Sequence, residues 1–108
     1  MNLGVDIEEV ERFSCNTYEN RKTFYEKIFT ENEIKYCLSK VNPQIHFAVR
    51  FCSKEAAIKA IDKQKINLLD IEVKIEEDKP KISLPFGLKG LVSMSHTKKM
   101  AVATVLIF

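Results

Sequence analysis

The stretch from Gln44 to Asp62 contains neither glycine nor proline and is rich in alanine, lysine and glutamate, which predicts one long helix. Phe47, Phe51, Cys52 and Ile58 give that helix bulk, while Ala56, Ala57 and Ala60 let a neighbouring element pack closely against it. A chain of 108 residues is close to the commonest domain size and has room for one core, so a single domain spanning residues 1–108 is expected. No repeat, low-complexity run or Pro/Gly/Ser linker interrupts it.

The rest of the chain arranges itself around that helix. Leu3, Val5 and Ile7 alternate with Gly4, Asp6 and Glu8, which predicts a short strand that buries its apolar face and turns Asp6 towards a surface or cleft. Residues 18 to 29 carry Phe24, Ile28 and Phe29 among charges and read as an amphipathic helix or part of one. Thr30-Glu31-Asn32-Glu33 has the form of a capping box opening a further helix to about Ser39, and Val41-Asn42-Pro43 breaks it. Leu69 to Ile75 alternates as a strand, Asp78-Lys79-Pro80 reads as a turn, and Lys81 to Leu84 as a strand answering it. After a loop bracketed by Gly87 and Gly90, Leu91–Ser95 and Met100–Ile107 read as two strands joined at Thr97-Lys98-Lys99. A strand, then helices, then a run of antiparallel strands gives an α+β fold with helices on one face of a mainly antiparallel sheet.

The formal net charge of +2 is too small, and its signs too interspersed, to point to nucleic acid. Cys15, Cys37 and Cys52 are odd in number and form no CxxC pair, so neither a disulfide framework nor a zinc site is indicated. No segment approaches the roughly 20 apolar residues of a membrane span, and no secretory leader pattern opens the chain. A soluble protein of the reducing cytoplasm is expected.

Glu55 and Lys59 lie four apart and share one face of the long helix; Arg50 and Lys54 share another. Taken alone, Glu55–Lys59 is an ordinary surface pair. If the strand carboxylate of Asp6 meets Glu55 in space, the two suit Mg2+, which takes one or two carboxylates and leaves positions for water and substrate phosphates. His96, flanked by Ser95 and Thr97 at a strand end, has two readings: a phosphate or proton-transfer group, or a turn residue. His46 has no partner nearby in sequence and is assigned no role. No Walker loop, dinucleotide fingerprint or nucleophile elbow occurs.

Taken in order, the motifs Val5-Asp6-Ile7-Glu8-x-Val10-Glu11-Arg12-Phe13, Phe29-Thr30-x-x-Glu33 and Arg50-Phe51-x-x-Lys54-Glu55-Ala56-x-x-Lys59-Ala60 form a series. Asp70-Ile71-Glu72-Val73 and Val92-Ser93-Met94-Ser95-His96-Thr97-Lys98-x-x-Ala101-Val102-Ala103 complete it. Across nearly the whole chain this series resembles the holo-acyl-carrier-protein synthases, the short single-domain type of 4′-phosphopantetheinyl transferase. The resemblance implies Mg2+-dependent transfer of 4′-phosphopantetheine from coenzyme A to a serine of an apo acyl carrier protein, with release of adenosine 3′,5′-bisphosphate, in fatty acid biosynthesis. It implies Asp6 and Glu55 as Mg2+ ligands and Lys59 as a diphosphate or leaving-group contact. Arg50, Lys54, Lys59, His96 and Thr97 would hold coenzyme A, and Arg12, Arg21 and Lys22 the acidic carrier. Either Glu55 or a metal-bound water would serve as base. A homotrimer with active sites between subunits is implied as well.

Three departures stand out. The family's Gly-Thr-Gly loop is replaced by residues 60–66, where Lys63 or Lys65 are the available substitutes. Asp78 stands in the usual Gly-Lys-Pro turn, which a type I turn tolerates, and Met100 stands where an aromatic is usual. The competing readings are a non-catalytic interaction module and another Mg2+-dependent nucleotide-binding enzyme.

Overall fold

The computed structural model describes residues 1–61 and 65–108. Strand β1 (Asn2–Glu9) leads into helices α1 (Glu11–Cys15), α2 (Lys22–Ile28), α3 (Glu31–Leu38) and α4 (Pro43–Ala60). A short 3-10 turn (Leu68–Asp70) precedes strands β2 (Glu72–Glu76), β3 (Lys79–Ser83), β4 (Gly90–His96) and β5 (Met100–Ile107). Pro43 takes the first position of α4, where its fixed φ and missing N–H cost nothing, so the expected break also starts the long helix. Asp62 and Lys63 lie outside the described residues.

Strand β5 runs between β1 and β4, antiparallel to both, while β2 and β3 form a separate two-stranded ribbon. The expected single sheet is therefore two. Ala101, Ala103, Val105 and Ile107 of β5 are buried on the face that α4 covers. One end of the core is aromatic, with the Phe13 ring centroid 5.9 Å from those of both Tyr25 and Phe29. At the other end Ala56, Ala57 and Ala60 pack with Ile71, Val105 and Ile107.

Strand β1 faces the opposite way from expectation. Leu3, Val5 and Ile7 are 68%, 55% and 62% exposed, whereas Gly4 is buried and Asp6 and Glu8 share its side. The reason is steric: a Cβ at Gly4 would sit 2.0 Å from the carbonyl oxygen of Ala56. Only glycine lets this strand lie so close to α4.

Three further local expectations change. The helix expected over 18–29 begins only at Lys22, after a turn in which Thr17 O accepts from Asn20 N and Arg21 N; the one-turn α1 before it carried too little periodicity to announce itself. Leu68–Asp70 is a 3-10 turn, with Asp70 Oδ2 accepting from Asn67 N at 3.1 Å, so regular alternation starts at Glu72. Pro80 lies within β3, opposite Ile75, and the turn falls at Glu77 and Asp78 with φ of 51° and 64°. That is the type I′ geometry of a two-residue hairpin, not type I, and it strains both residues. Asp78→Gly is expected to stabilise the fold by about 1 kcal/mol, read as a higher urea midpoint with unchanged m-value.

Candidate active site

The Gly4–Ala56 contact brings the next inward residue of β1, Asp6, to the exposed flank of α4. Lys59 Nζ donates to Asp6 Oδ1 and to the Val5 carbonyl, each at 3.0 Å. Glu55, one turn earlier on α4, faces the same group, and its pKa is raised by burial and by the Asp6 charge, against the opposing pull of Lys59 and Arg12. Lys59 has its own pKa raised, chiefly by the hydrogen bond to Asp6.

Glu8 follows Asp6 on the inward side of β1, at the period-2 spacing of a strand. Burial comes first and the Asp6 carboxylate beside it second in lifting its pKa from 4.5 to about 7. Arg12 Nη1, 3.4 Å from Glu8 Oε1, offsets this only in part. The Arg12 guanidinium also lies 4.7 Å over the Phe51 ring, which ties α1 to α4.

Asp6 Oδ2 is buried and has no hydrogen-bond partner among the described residues. An uncompensated carboxylate oxygen facing a second carboxylate is the donor set that Mg2+ prefers, since that ion needs one or two carboxylates and completes its shell with water and phosphate. Among the described residues no group of three or more His, Cys, Asp or Glu converges tightly enough to cage a metal alone. Asp6 and Glu55 thus fit Mg2+ as an open site and not as a closed cage.

A second group stands on the other flank of α4. Arg50 and Glu55 are five residues apart, about 140° around a helix of 3.6 residues per turn. Arg50 packs 4.3 Å from the centre of the Tyr36 ring, with Lys40 4.6 Å from that same centre. Arg50 Nη1 donates to the His46 carbonyl at 3.3 Å, and its buried Nε has no partner among the described residues. His46 sits edge-on to Tyr36, and burial followed by the charges of Arg50, Lys40 and His96 lowers its pKa. His96, at the end of β4, pairs across the sheet with Ala101, which pairs in turn with Glu8. Two strand spacings of about 4.8 Å put the backbones of Glu8 and His96 roughly 10 Å apart. Thr97 Oγ1 accepts from Lys99 N and Met100 N, so the turn reading of this segment holds for Thr97.

The 4′-phosphopantetheinyl transferase superfamily model matches residues 2–105. The chain belongs to this superfamily. The holo-[acyl-carrier-protein] synthase of Thermodesulfovibrio yellowstonii is 45% identical over 108 residues, covering 97% of this chain and 96% of that relative. Its counterpart in Protochlamydia amoebophila is 36% identical, covering 95% and 93%. Among solved structures, a Bacillus anthracis holo-(acyl-carrier-protein) synthase in complex with CoA (3′,5′-ADP) aligns with a TM-score of 0.83 at 31% identity, covering 98% of this chain and 94% of that one. Helicobacter pylori holo-[acyl-carrier-protein] synthase in complex with coenzyme A aligns with a TM-score of 0.83 at 27% identity, covering 98% and 99%.

For a phosphopantetheinyl transferase, the expectation at Lys54 needs correction. Lys54 is fully buried and its Nζ is held by Glu33 Oε1 at 2.7 Å, Leu68 O at 3.0 Å and Ile71 O at 2.6 Å. It has no atom free for a phosphate. Burial lowers its pKa in spite of the Glu33 charge. Glu33 is held as fully: it accepts from Thr30 N at 2.9 Å, closing the capping box, and from Val73 N at 2.8 Å. Arg50 is likewise buried, so any direct role in binding falls to its exposed neighbours.

Two outcomes follow from these environments. Lys54→Met leaves the Glu33 charge buried and unpaired and is expected to cost about 3–5 kcal/mol, whereas Lys35→Met, which breaks the exposed pair with Glu31, costs under about 1 kcal/mol; urea denaturation distinguishes the two. For Glu8 the native state retains a proton that the unfolded chain has already released between pH 4.5 and about 7. Stability of the metal-free protein therefore falls as pH rises through that window, and Glu8→Gln flattens the fall in thermal midpoints measured across it.

Proposed function

We infer that the chain is a holo-[acyl-carrier-protein] synthase, which transfers 4′-phosphopantetheine from coenzyme A to the serine of an apo acyl carrier protein. The observation that carries this reading is the meeting of Asp6, Glu55 and Lys59, distant in sequence, in a chain 45% identical to a named synthase over almost its whole length. The serine oxygen forms a bond to the phosphorus bearing the pantetheine arm. The bond from that phosphorus to the bridging oxygen breaks, and adenosine 3′,5′-bisphosphate leaves.

Asp6 and Glu55 would hold Mg2+, which supplies charge neutralisation on the diphosphate oxygens when bound. Lys59, already fixed by Asp6, extends its exposed ammonium towards the same space and stabilises the departing phosphate. The serine proton passes to Glu55 or to water beside it. On the other flank of α4, His96 with His46 and Lys40 offers cationic or hydrogen-bonding groups to the 3′-phosphate, with Arg50 adding its field from below. Lys65, exposed beyond α4, is the described cation closest in sequence to the missing glycine loop.

The acidic carrier would dock on Arg12, Arg21 and Lys22. Arg21 lies 5.8 Å over Phe24 and Lys22 5.8 Å over Tyr18, so both exposed cations are splayed along aromatic surface beside α2. Such contacts steer association and weaken with salt.

A homotrimer would cover the outward face of the sheet β1–β5–β4, where Leu3, Val5, Ile7 and Leu91 are exposed. Asp6 lies on the edge strand, so copies packing on that face would border the site. Coenzyme A as co-substrate and three free thiols fit a cytoplasmic setting and a carrier of fatty acid biosynthesis. No helix among the described residues is long and apolar enough to cross a membrane.

The test is to incubate the protein with coenzyme A, Mg2+ and several apo carriers and weigh each carrier. A gain of one phosphopantetheine is expected on at least one carrier. Asp6→Asn and Glu55→Gln should sharply reduce it, and Lys59→Ala should slow it roughly a hundredfold, all with the circular dichroism of the folded protein retained. No gain on any carrier overturns the reading.

A further inference from the structure

Three charged side chains are buried among the described residues, and only two of them neutralise each other: Glu33 pairs with Lys54, and Arg50 stands alone. Arg50 is 2% exposed, and no ion pair among the described residues includes it. A guanidinium has five N–H donors to place. Nη1 donates to the His46 carbonyl at 3.3 Å, while the buried Nε finds no acceptor among the described residues. The nearby Cys37 thiol supplies no negative charge, because burial pushes its pKa up to about 12. A buried cation without an anion is costly, and a site that receives an anion from outside accounts for the cost.

The groups around Arg50 towards solvent are basic as well. Lys40, in the α3–α4 connection, is exposed and lies 4.6 Å from the centre of the Tyr36 ring, where Arg50 lies at 4.3 Å. The half-buried His46 imidazole stands edge-on to the same ring, 5.9 Å between centroids. His96 adds its charge from the exposed end of β4. No carboxylate among the described residues pairs with any of the four. An imidazole can shed its charge near neutral pH where a guanidinium cannot. Burial, followed by the charges of Arg50, Lys40 and His96, lowers the His46 pKa, so the ring is neutral at pH 7 in the free protein.

We propose that His46 is the proton-linked residue of this cluster: it takes a proton from solvent as the 3′-phosphate of the nucleotide binds, and the imidazolium then donates to a phosphate oxygen. This rests on the reading of the cluster as the 3′-phosphate subsite for coenzyme A. The arriving dianion offsets the positive field that keeps the ring neutral. The lone pair of the unprotonated ring nitrogen accepts the proton, after which both nitrogens are donors. The phosphate, whose second pKa is about 6, enters as the dianion at pH 7.5 and releases no proton. Binding therefore strengthens as pH falls, for as long as the phosphate keeps its second charge.

The chain has two histidines, so proton NMR of the imidazole rings follows two titrations, assigned with His46→Gln and His96→Gln. The protein is titrated alone, with saturating adenosine 3′,5′-bisphosphate, and with adenosine 5′-monophosphate, which lacks the 3′-phosphate. The His46 midpoint should rise by about one pH unit or more with the bisphosphate and stay in place with the monophosphate. In the free protein Lys40→Met should raise the same midpoint, which a purely packing role for His46 does not require. Calorimetry above pH 7 should show bisphosphate affinity falling by up to about tenfold per pH unit, a slope that His46→Gln loses. Equal affinity for the two nucleotides overturns the phosphate subsite itself. Preference for the bisphosphate with the His46 midpoint unmoved, or with a rise confined to His96, overturns the role of His46 and leaves that subsite standing.

Discussion

The contact between the Gly4 backbone and the Ala56 carbonyl governs the rest of the molecule. Strand and helix meet there without side chains between them, and a single added methyl would fall 2.0 Å from the carbonyl oxygen. Two residues along β1 and one turn along α4, that proximity becomes the Asp6–Lys59 bond at 3.0 Å. Wider separation would cost more than packing area. It would separate the carboxylate from the lysine and from Glu55, and the site would cease to be one.

The two lysines of α4 show how five residues of helix can change the meaning of a charge. Lys59 is half-exposed and donates to Asp6 and to the Val5 carbonyl from the solvent side. Lys54 is enclosed by a carboxylate and two carbonyls that satisfy all three of its donors. Its cost in desolvation is offset only because Glu33 is itself saturated by the α3 cap and by Val73. One lysine stays at the surface beside Asp6, while its neighbour joins α3, α4 and the start of β2.

Much of this was legible in the sequence. The long helix, the Thr30–Glu33 cap and the strand β5 come from local rules and are present, with the helix starting one residue earlier than expected, at Pro43. The orientation of β1 was not. Alternation alone says that Leu3, Val5 and Ile7 share a face but not which face the core needs, and the buried glycine outweighed three apolar side chains. The same limit hid Lys54, because a motif places a residue in order without saying which way it points. The hairpin misreading at Asp78 has a smaller cause, since nothing in Asp-Lys-Pro distinguishes a type I turn from its mirror image until the register of β2 and β3 is known.

The Lys54 anchor also bears on how this fold tolerates change in chain length. The connection leaving α4 is held at its start by Ile61 N donating to Ala57 O, and at its far end by Leu68 O and Ile71 O accepting from Lys54. With both ends fastened to the same helix, residues inserted or deleted between them do not pull on β1, α4 or the strand that follows. Doubling such a connection costs only about 0.6 kcal/mol in closure entropy. The length of the stretch between those two anchors can thus change without disturbing Asp6 and Glu55.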